Sequence, residues 1–409
     1  MRGEATARGG AVVTGLGTVN ALASSVDGFA AALRAGRCAI GPVTGFDATG
    51  YRSRIAAEVK DLPVPPSLPP PLRRRASRSD LFALAAAAEA LAASRLDVAA
   101  APARVGIVLG ATTAGMMAAE TAFREHIDNP SRRYRRSRFV ATPMATSADL
   151  VAHHFGVGGP RLALSTACSS SGTALGIALD WIRLGRVDAV LAGGTESMCR
   201  TIFAGFNALK ALSLEPCRPF DRRRSGLSLG EGAAILVIES AEHAARRRAC
   251  VHAAILGYGM SADAHHLTAP HPEGVGAALA MERALARAGV AAAEVGYVNA
   301  HGTGTPLNDG IEAAAIERVF GTAAARLAVS STKSAVGHTL GAAGAIEGLA
   351  TVLALRDGFL PPTLNLDEPD PSCRLDFVPR ASRPATLRYA LSNSYGFGGN
   401  NTTVVFGRA

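Results

Sequence analysis

The chain has 409 residues, 48% hydrophobic and 18% charged, enough for two packed domains or one duplicated unit around a large core. Aromatics reach only 5%, so Ala, Val, Leu and Ile must build that core, and the formal charge of +9 suits an acidic partner. No apolar run is long enough for a membrane span, the opening MRGEATARGG lacks the apolar stretch of a secretion signal, and the six cysteines form no CxxC pair. Membrane proteins, zinc modules and disulfide scaffolds are thereby set aside, and a cytoplasmic location with no metal site is expected.

In chain order, AVVTGLGTV (11–19) reads as a buried strand ending in a glycine turn, followed by a helix over 25–33. LPVPPSLPPPL (62–72) is too rich in proline for regular structure and is expected to be a surface loop. An Ala-rich helix follows over 79–94, then a buried strand over 104–110. Residues 123–138 are Arg-rich and expected to be exposed. RLALSTA is a strand running into Cys168, and SSSGTALGIALDWIRLG is a helix behind it. Strands are read over 187–196 and 233–239.

A second set opens with HAAILGYG, which resembles the first strand and its glycine turn. A helix over 274–288, the strand of VGYVNAHGTGT and a helix over 309–320 come next. RLAVSSTKSAVGHTLGAAGAIEGLATVLAL reads as strand, loop and helix, and RYALSNSYGFGGNNTTVVFG as a closing strand pair around a glycine-rich loop. Strands alternate with helices throughout, so the class is α/β with buried sheets.

Sliding the chain by 165 residues lays Ser165–Ala178 over Ser330–Ala343. Ser165, Ser169, Gly172, Leu175, Gly176 and Ala178 then meet identical residues, and Cys168 falls opposite Lys333. A duplicated strand–turn–helix unit is expected, with halves at 1–250 and 251–409.

Basic clusters stand at 73–75, 132–138 and 246–248. They are either solvated surface or a docking face for an acidic partner. Nucleic acid is disfavoured, since no helix-turn-helix, zinc or RNA-binding signature accompanies the charge. Of the 42 basic residues only Lys60, Lys210 and Lys333 are lysines. In a chain that otherwise uses Arg, a retained Lys marks a place for a compact ammonium, and Lys333 lies inside a motif.

Four constellations carry chemistry. In LALSTACSSSGTALG a strand ends near Cys168 and a helix begins, which puts the sulfur at a helix N-terminus that favours thiolate. In VNAHGTGTPLND, His301 ends a strand beside two glycines alternating with Thr303 and Thr305. In STKSAVGHTLGAAGAIEG, Lys333 and His338 are five apart, and Glu347 is placed to pair with Lys333. In NSYGFGGNN, glycines free the backbone around Phe397. A lone cysteine in an apolar run is usually packing, and a lone histidine usually a satisfied loop residue. Here a thiol, two imidazoles and an amine each stand at the end of a strand, where α/β sites assemble.

On these motifs the chain resembles the β-ketoacyl synthases of the thiolase superfamily over nearly its whole length. RPFDRRRSGLSLGEGAA and PPTLNLDEPDP add to the match. The resemblance implies a five-layered α-β-α-β-α fold of two similar halves. It implies an acyltransferase that loads an acyl chain on Cys168 and extends it by two carbons with malonyl-acyl carrier protein. His301 and His338 would promote decarboxylation and hold the enolate oxygen, and Lys333 and Glu347 would form a supporting ion pair. The backbone N–H groups of Cys168 and Phe397 would form an oxyanion hole, with Phe397 also gating the site. Thr303 and Thr305 would contact pantetheine, and Thr113 and Phe206 would line the acyl pocket. No cofactor is implied beyond the carrier's phosphopantetheine. The implied partners are acyl carrier protein and a second subunit, either identical or resembling a chain-length factor. Tyr395 stands where many relatives carry Phe. The CSSS elbow and the stretch SMCRTIFAGFNALKALSLEPCRPF favour polyene and polyketide pathways over housekeeping fatty-acid synthesis.

A degradative thiolase would carry a second cysteine in the last loop, which here reads NSYGFGGNN. A chain-initiating synthase would pair Cys with His and Asn, and a non-enzymatic chain-length factor would lack Cys168.

Overall fold

The computed structural model describes residues 10–62, 64–131 and 136–409. In the first half five strands are central: β1 (Ala11–Asn20), β2 (Val105–Gly110), β3 (Arg161–Leu164), β4 (Ala189–Glu196) and β5 (Gly232–Ser240). The second half supplies β6 (Ala253–Ala262), β7 (Val295–Asn299), β8 (Ala328–Ser330), β9 (Tyr389–Gly396) and β10 (Asn400–Arg408). All ten join one sheet in the order β8-β7-β9-β10-β6-β1-β5-β4-β2-β3. Read outward from the seam, one side runs β1-β5-β4-β2-β3 and the other β6-β10-β9-β7-β8, the same order twice. The seam is short: Ala11, Val12 and Val13 pair antiparallel with Ile255, Ala254 and Ala253. In each half three strands are mutually parallel, β3-β2-β4 and β8-β7-β9.

Side-chain alternation explains the layers. In β5, Ala233, Ile235 and Val237 face one apolar cluster while Ala234, Leu236 and Ile238 face another. A strand buried on both faces needs a helix layer on each. The outer layer of the first half is α2 (Arg78–Ser94) and α4 (Ala145–Phe155), which follow α1 (Val26–Arg34) and α3 (Met116–Asp128) in the element order. The inner layer is α5 (Ser170–Arg183), which packs with α9 (Ala343–Asp357) between the two halves of the sheet. Before α9 come α6 (Arg200–Ala208), α7 (Val275–Ala288) and α8 (Asn308–Phe320), and α7 and α8 cover the second half from outside. The result is the expected five layers, α-β-α-β-α. Helix α9 is buried on every side from Ala343 to Leu355, the pattern of a helix with no solvent face. Helix α2 starts where Ser77 and Asp80 form a capping box, and Ser147 of α4 donates to the same Asp80 at 2.6 Å, tying the outer pair together.

Several expectations change. The glycines read as turns lie inside β1 and β6, where they let an outer helix approach. A Cβ on Gly17 would sit 1.9 Å from Ala86 O, and one on Gly259 2.1 Å from Ala280 O. The proline-rich stretch ends in a helical turn, Pro70–Arg73. Helix α3 covers part of the segment read only as exposed, and Phe123 on it is 58% exposed. The 165-residue echo holds at the strands and slips at the helices. β3 ends at Leu164 and α5 begins at Ser170, whereas β8 ends at Ser330 and α9 begins only at Ala343. The side chains of 132–138 lie outside the described residues. In the third basic cluster, Arg247 joins His243 at the buried Glu239, while Arg246 pairs with Glu242 at the surface.

Candidate active site

Each predicted reactive residue follows the C-terminal end of a strand. Cys168 follows β3, His301 follows β7, Lys333 and His338 follow β8, and Phe397 follows β9. The parallel strands of the two halves therefore deliver their ends to one place.

The cysteine sits on a sharp elbow. Ala167 takes a left-handed backbone at φ +52, an arrangement a Cβ residue rarely accepts without support. Ser170 supplies it: its hydroxyl donates to Ala167 O at 2.5 Å and accepts from Thr166 N–H at 2.9 Å. Gly396 lets the glycine-rich loop lie directly on the elbow, because a Cβ there would stand 2.8 Å from Thr166 O and 3.0 Å from Cys168 N. The thiol is 7% exposed. Burial pushes it up to about 11, against the downward pull of the Lys333 ammonium and the Phe397 N–H. The expected thiolate bias of the helix start is thus outweighed by desolvation.

The rings of His301 and His338 meet edge to face, with centroids 5.3 Å apart at 84°. Both are held well below the usual imidazole range, first by burial and then by the nearby Lys333 charge. At neutral pH both are neutral, each able to donate one ring N–H without adding charge. Among the described residues, Nδ1 of neither ring has a hydrogen-bond partner. Lys333 pairs with Glu347 in full burial, and burial raises Glu347 to about 7 despite that partner. The Lys333 ammonium lowers all three of Cys168, His301 and His338, favouring the anion at the thiol and disfavouring the cation at the imidazoles.

Backbone positions are fixed by carboxylates that the sequence reading missed. Glu312 accepts from His301 N at 2.8 Å and Gly302 N at 2.7 Å. Asp309 accepts from Gly304 N at 3.1 Å and Phe220 N at 2.8 Å. Their spacing of three residues at the start of α8, just after the HGTGT loop, is the signal that could have revealed them. Glu196, at the end of β4, accepts from Thr112 N, Thr113 N, Ala114 N and Gly341 N. His338 is held by N–H donation to Ser228 O at 2.7 Å.

Thr303 and Thr305 share a hydroxyl contact of 2.9 Å. The two acyl-pocket candidates fall in different surroundings. Thr113 donates its hydroxyl to Glu196 at 2.6 Å, while Phe206 stacks on Phe397 with centroids 5.7 Å apart. Tyr395 lies 5.7 Å from His301, ring to ring.

The family is decided by two matches. Residues 11–244 match the beta-ketoacyl synthase N-terminal domain and residues 252–367 its C-terminal domain. The chain belongs to the β-ketoacyl synthases. A 3-oxoacyl-[acyl-carrier-protein] synthase 2 of Coxiella burnetii is 41% identical over 407 residues, covering 97% of this chain and 98% of that protein. Among solved structures, the ishigamide ketosynthase/chain length factor superposes with a TM-score of 0.92 at 35% identity, over 98% of this chain and 100% of that one. A type II polyketide ketosynthase, AntDE, in complex with its acyl-carrier protein AntF and bound to the hexaketide, superposes at 0.90 with 30% identity, over 98% and 99%. As a member of this family the chain is an acyltransferase, a condensing enzyme of fatty-acid or polyketide chain elongation. Among the described residues no helix is long and apolar enough to cross a membrane.

Proposed function

We propose that Cys168 takes an acyl group from an acyl carrier protein and that malonyl on a second carrier then extends it by two carbons. In the first step the Cys168 sulfur bonds the acyl carbonyl carbon, and the carrier thiol leaves with the thiol's proton. In the second, the malonyl C–CO2 bond breaks and its electrons become an enolate. The enolate carbon bonds the acyl carbonyl, and the Cys168 sulfur departs and is reprotonated. Loss of CO2 drives the reaction without a strong base, so the task is to stabilise oxygen-centred negative charge. Two buried imidazoles in edge-to-face contact, both held neutral by burial and by the charge of Lys333, are the observation that carries this reading. His301 and His338 donate to the enolate oxygen. The N–H groups of Cys168 and Phe397 receive the oxygen of the tetrahedral intermediate, each worth about 3 kcal/mol in comparable sites. Lys333 and Glu347 hold the electrostatics, Thr303 and Thr305 meet the pantetheine arm, and Thr113 and Phe206 bound the acyl chain. Covalent capture on sulfur splits one difficult step into two.

In this reading the protein needs no metal or cofactor of its own, works in the cytoplasm, and pairs with an identical subunit or a chain-length-factor-like one. Residues 1–250 and 251–409 form its two halves, and its product is a fatty-acid, polyene or polyketide chain. Cys168→Ala is expected to abolish acyl-enzyme formation, read by intact mass after incubation with acyl carriers. His301→Ala and His338→Ala are expected to suppress CO2 release from malonyl carrier by about 100-fold or more. An acylated Cys168→Ala protein, or undiminished CO2 release in both histidine variants, would remove these assignments.

A further inference from the structure

The HGTGT loop carries no regular secondary structure, yet several of its main-chain polar groups are held by partners from elsewhere in the fold. Carboxylates take the N–H groups of His301, Gly302 and Gly304, as described above. Ser331 donates to Gly302 O at 2.6 Å, and Gly226 N–H donates to Gly304 O at 3.0 Å. The next two carbonyls share one donor group. Arg224 gives Nε to Thr305 O and Nη2 to Pro306 O, each at 3.1 Å. Its remaining edge is anchored by Asp221 O at 3.1 Å and by the carboxylate of Asp370. The side chain is only 9% exposed, unlike Arg222 and Arg223 beside it at 60% and 49%.

We infer that Arg224 is a positioning residue for the pantetheine arm: it fixes the Thr305–Pro306 backbone so that the Thr303 and Thr305 hydroxyls keep one geometry for the incoming thioester. The inference rests on the assignment of those threonines to pantetheine. The physical reason is shape rather than charge. A planar fork with five N–H donors serves three carbonyls and a carboxylate at once, whereas an ammonium cannot span them. Burial of the guanidinium also separates it from any surface attraction of a carrier protein.

The test compares malonyl-pantetheine with the malonyl thioester of ethanethiol, which has no amide arm, following CO2 release. Arg224→Lys and Arg224→Gln are each expected to raise KM for malonyl-pantetheine about tenfold, with kcat within about threefold, the loss of one or two hydrogen bonds. The ethanethiol substrate is expected to respond equally in wild type and variants. Asp370→Asn, which removes one anchor but leaves the guanidinium, is expected to move KM in the same direction by a smaller factor, and it serves if the Arg224 variants fail to fold. Restoration by Lys, equal losses on both substrates, or a fall in kcat at constant KM would overturn the inference. Thr305→Val separates the two layers of argument. If it raises KM while the Arg224 variants do not, the inference alone fails. If none of them raises KM, the pantetheine assignment fails with it.

Discussion

Cys168 is subject to opposing influences. Its burial disfavours the anion, while Lys333 and the Phe397 N–H favour it, and burial wins, with the thiol pushed up to about 11. The Cys168 thiol therefore rests protonated, and the attack proposed for it must be coupled to loss of its proton. Alkylation by iodoacetamide is expected to accelerate with rising pH through about pH 10 without levelling off, because the reactive form is the thiolate. Lys333→Met removes the chief favourable charge and is expected to slow alkylation further at any given pH. A plateau near the ordinary thiol value of 9.0, or faster alkylation in the variant, would refute this picture. Breaking the buried Lys333–Glu347 pair also leaves Glu347 without its counter-charge. Lys333→Met is expected to cost about 3–5 kcal/mol in denaturant unfolding, with part of that loss recovered by adding Glu347→Leu.

At the scale of elements, paired glycines let outer helices cross strands at contact distance in both halves. Gly17→Ala and Gly259→Ala are each expected to destabilise by about 1–3 kcal/mol, since backbone carbonyls rather than flexible side chains stand in the way. Gly41→Ala, where nothing lies within 4 Å, is the matched control and is expected to leave the unfolding midpoint nearly unchanged. The same glycines show how far local pattern reading reaches. Val-Thr-Gly-Leu-Gly reads as a strand and then a turn, because a glycine's need for open space is set by a helix some 70 residues away in sequence, from Ala86 to Gly17. Strands β2, β5 and β7 were legible from their apolar runs, and Cys168, His301 and His338 from the small residues around them. Glu312 had a local signal in its place three residues after Asp309 behind the HGTGT loop, but Glu196 had none, because the backbone N–H groups it satisfies lie 82 to 145 residues away. Only the fold brings Thr112, Ala114 and Gly341 to one side chain. Helix α6 was likewise read only as part of a longer stretch, and Phe206 on it finds its contact, Phe397, at the far end of the chain.

For the whole molecule, the formal charge of +9 bears on encounter with a carrier. The complex with an acidic carrier is expected to weaken as salt rises, while KM for malonyl-pantetheine stays level, because surface charges are screened within about 10 Å at 0.1 M salt. An affinity indifferent to salt would exclude electrostatic docking. The duplicated sheet order has a further consequence. The Cys168 sulfur comes from the first half, and the imidazoles, the ammonium and the Phe397 ring come from the second, across a main-chain seam of three residue pairs. Neither half alone holds all the groups proposed to react. A cut in the connection between β5 and β6 would thus be silent for as long as the two pieces stay docked, and turnover would cease when they part. Measured activity is then also a gauge of whether the two repeats remain in register.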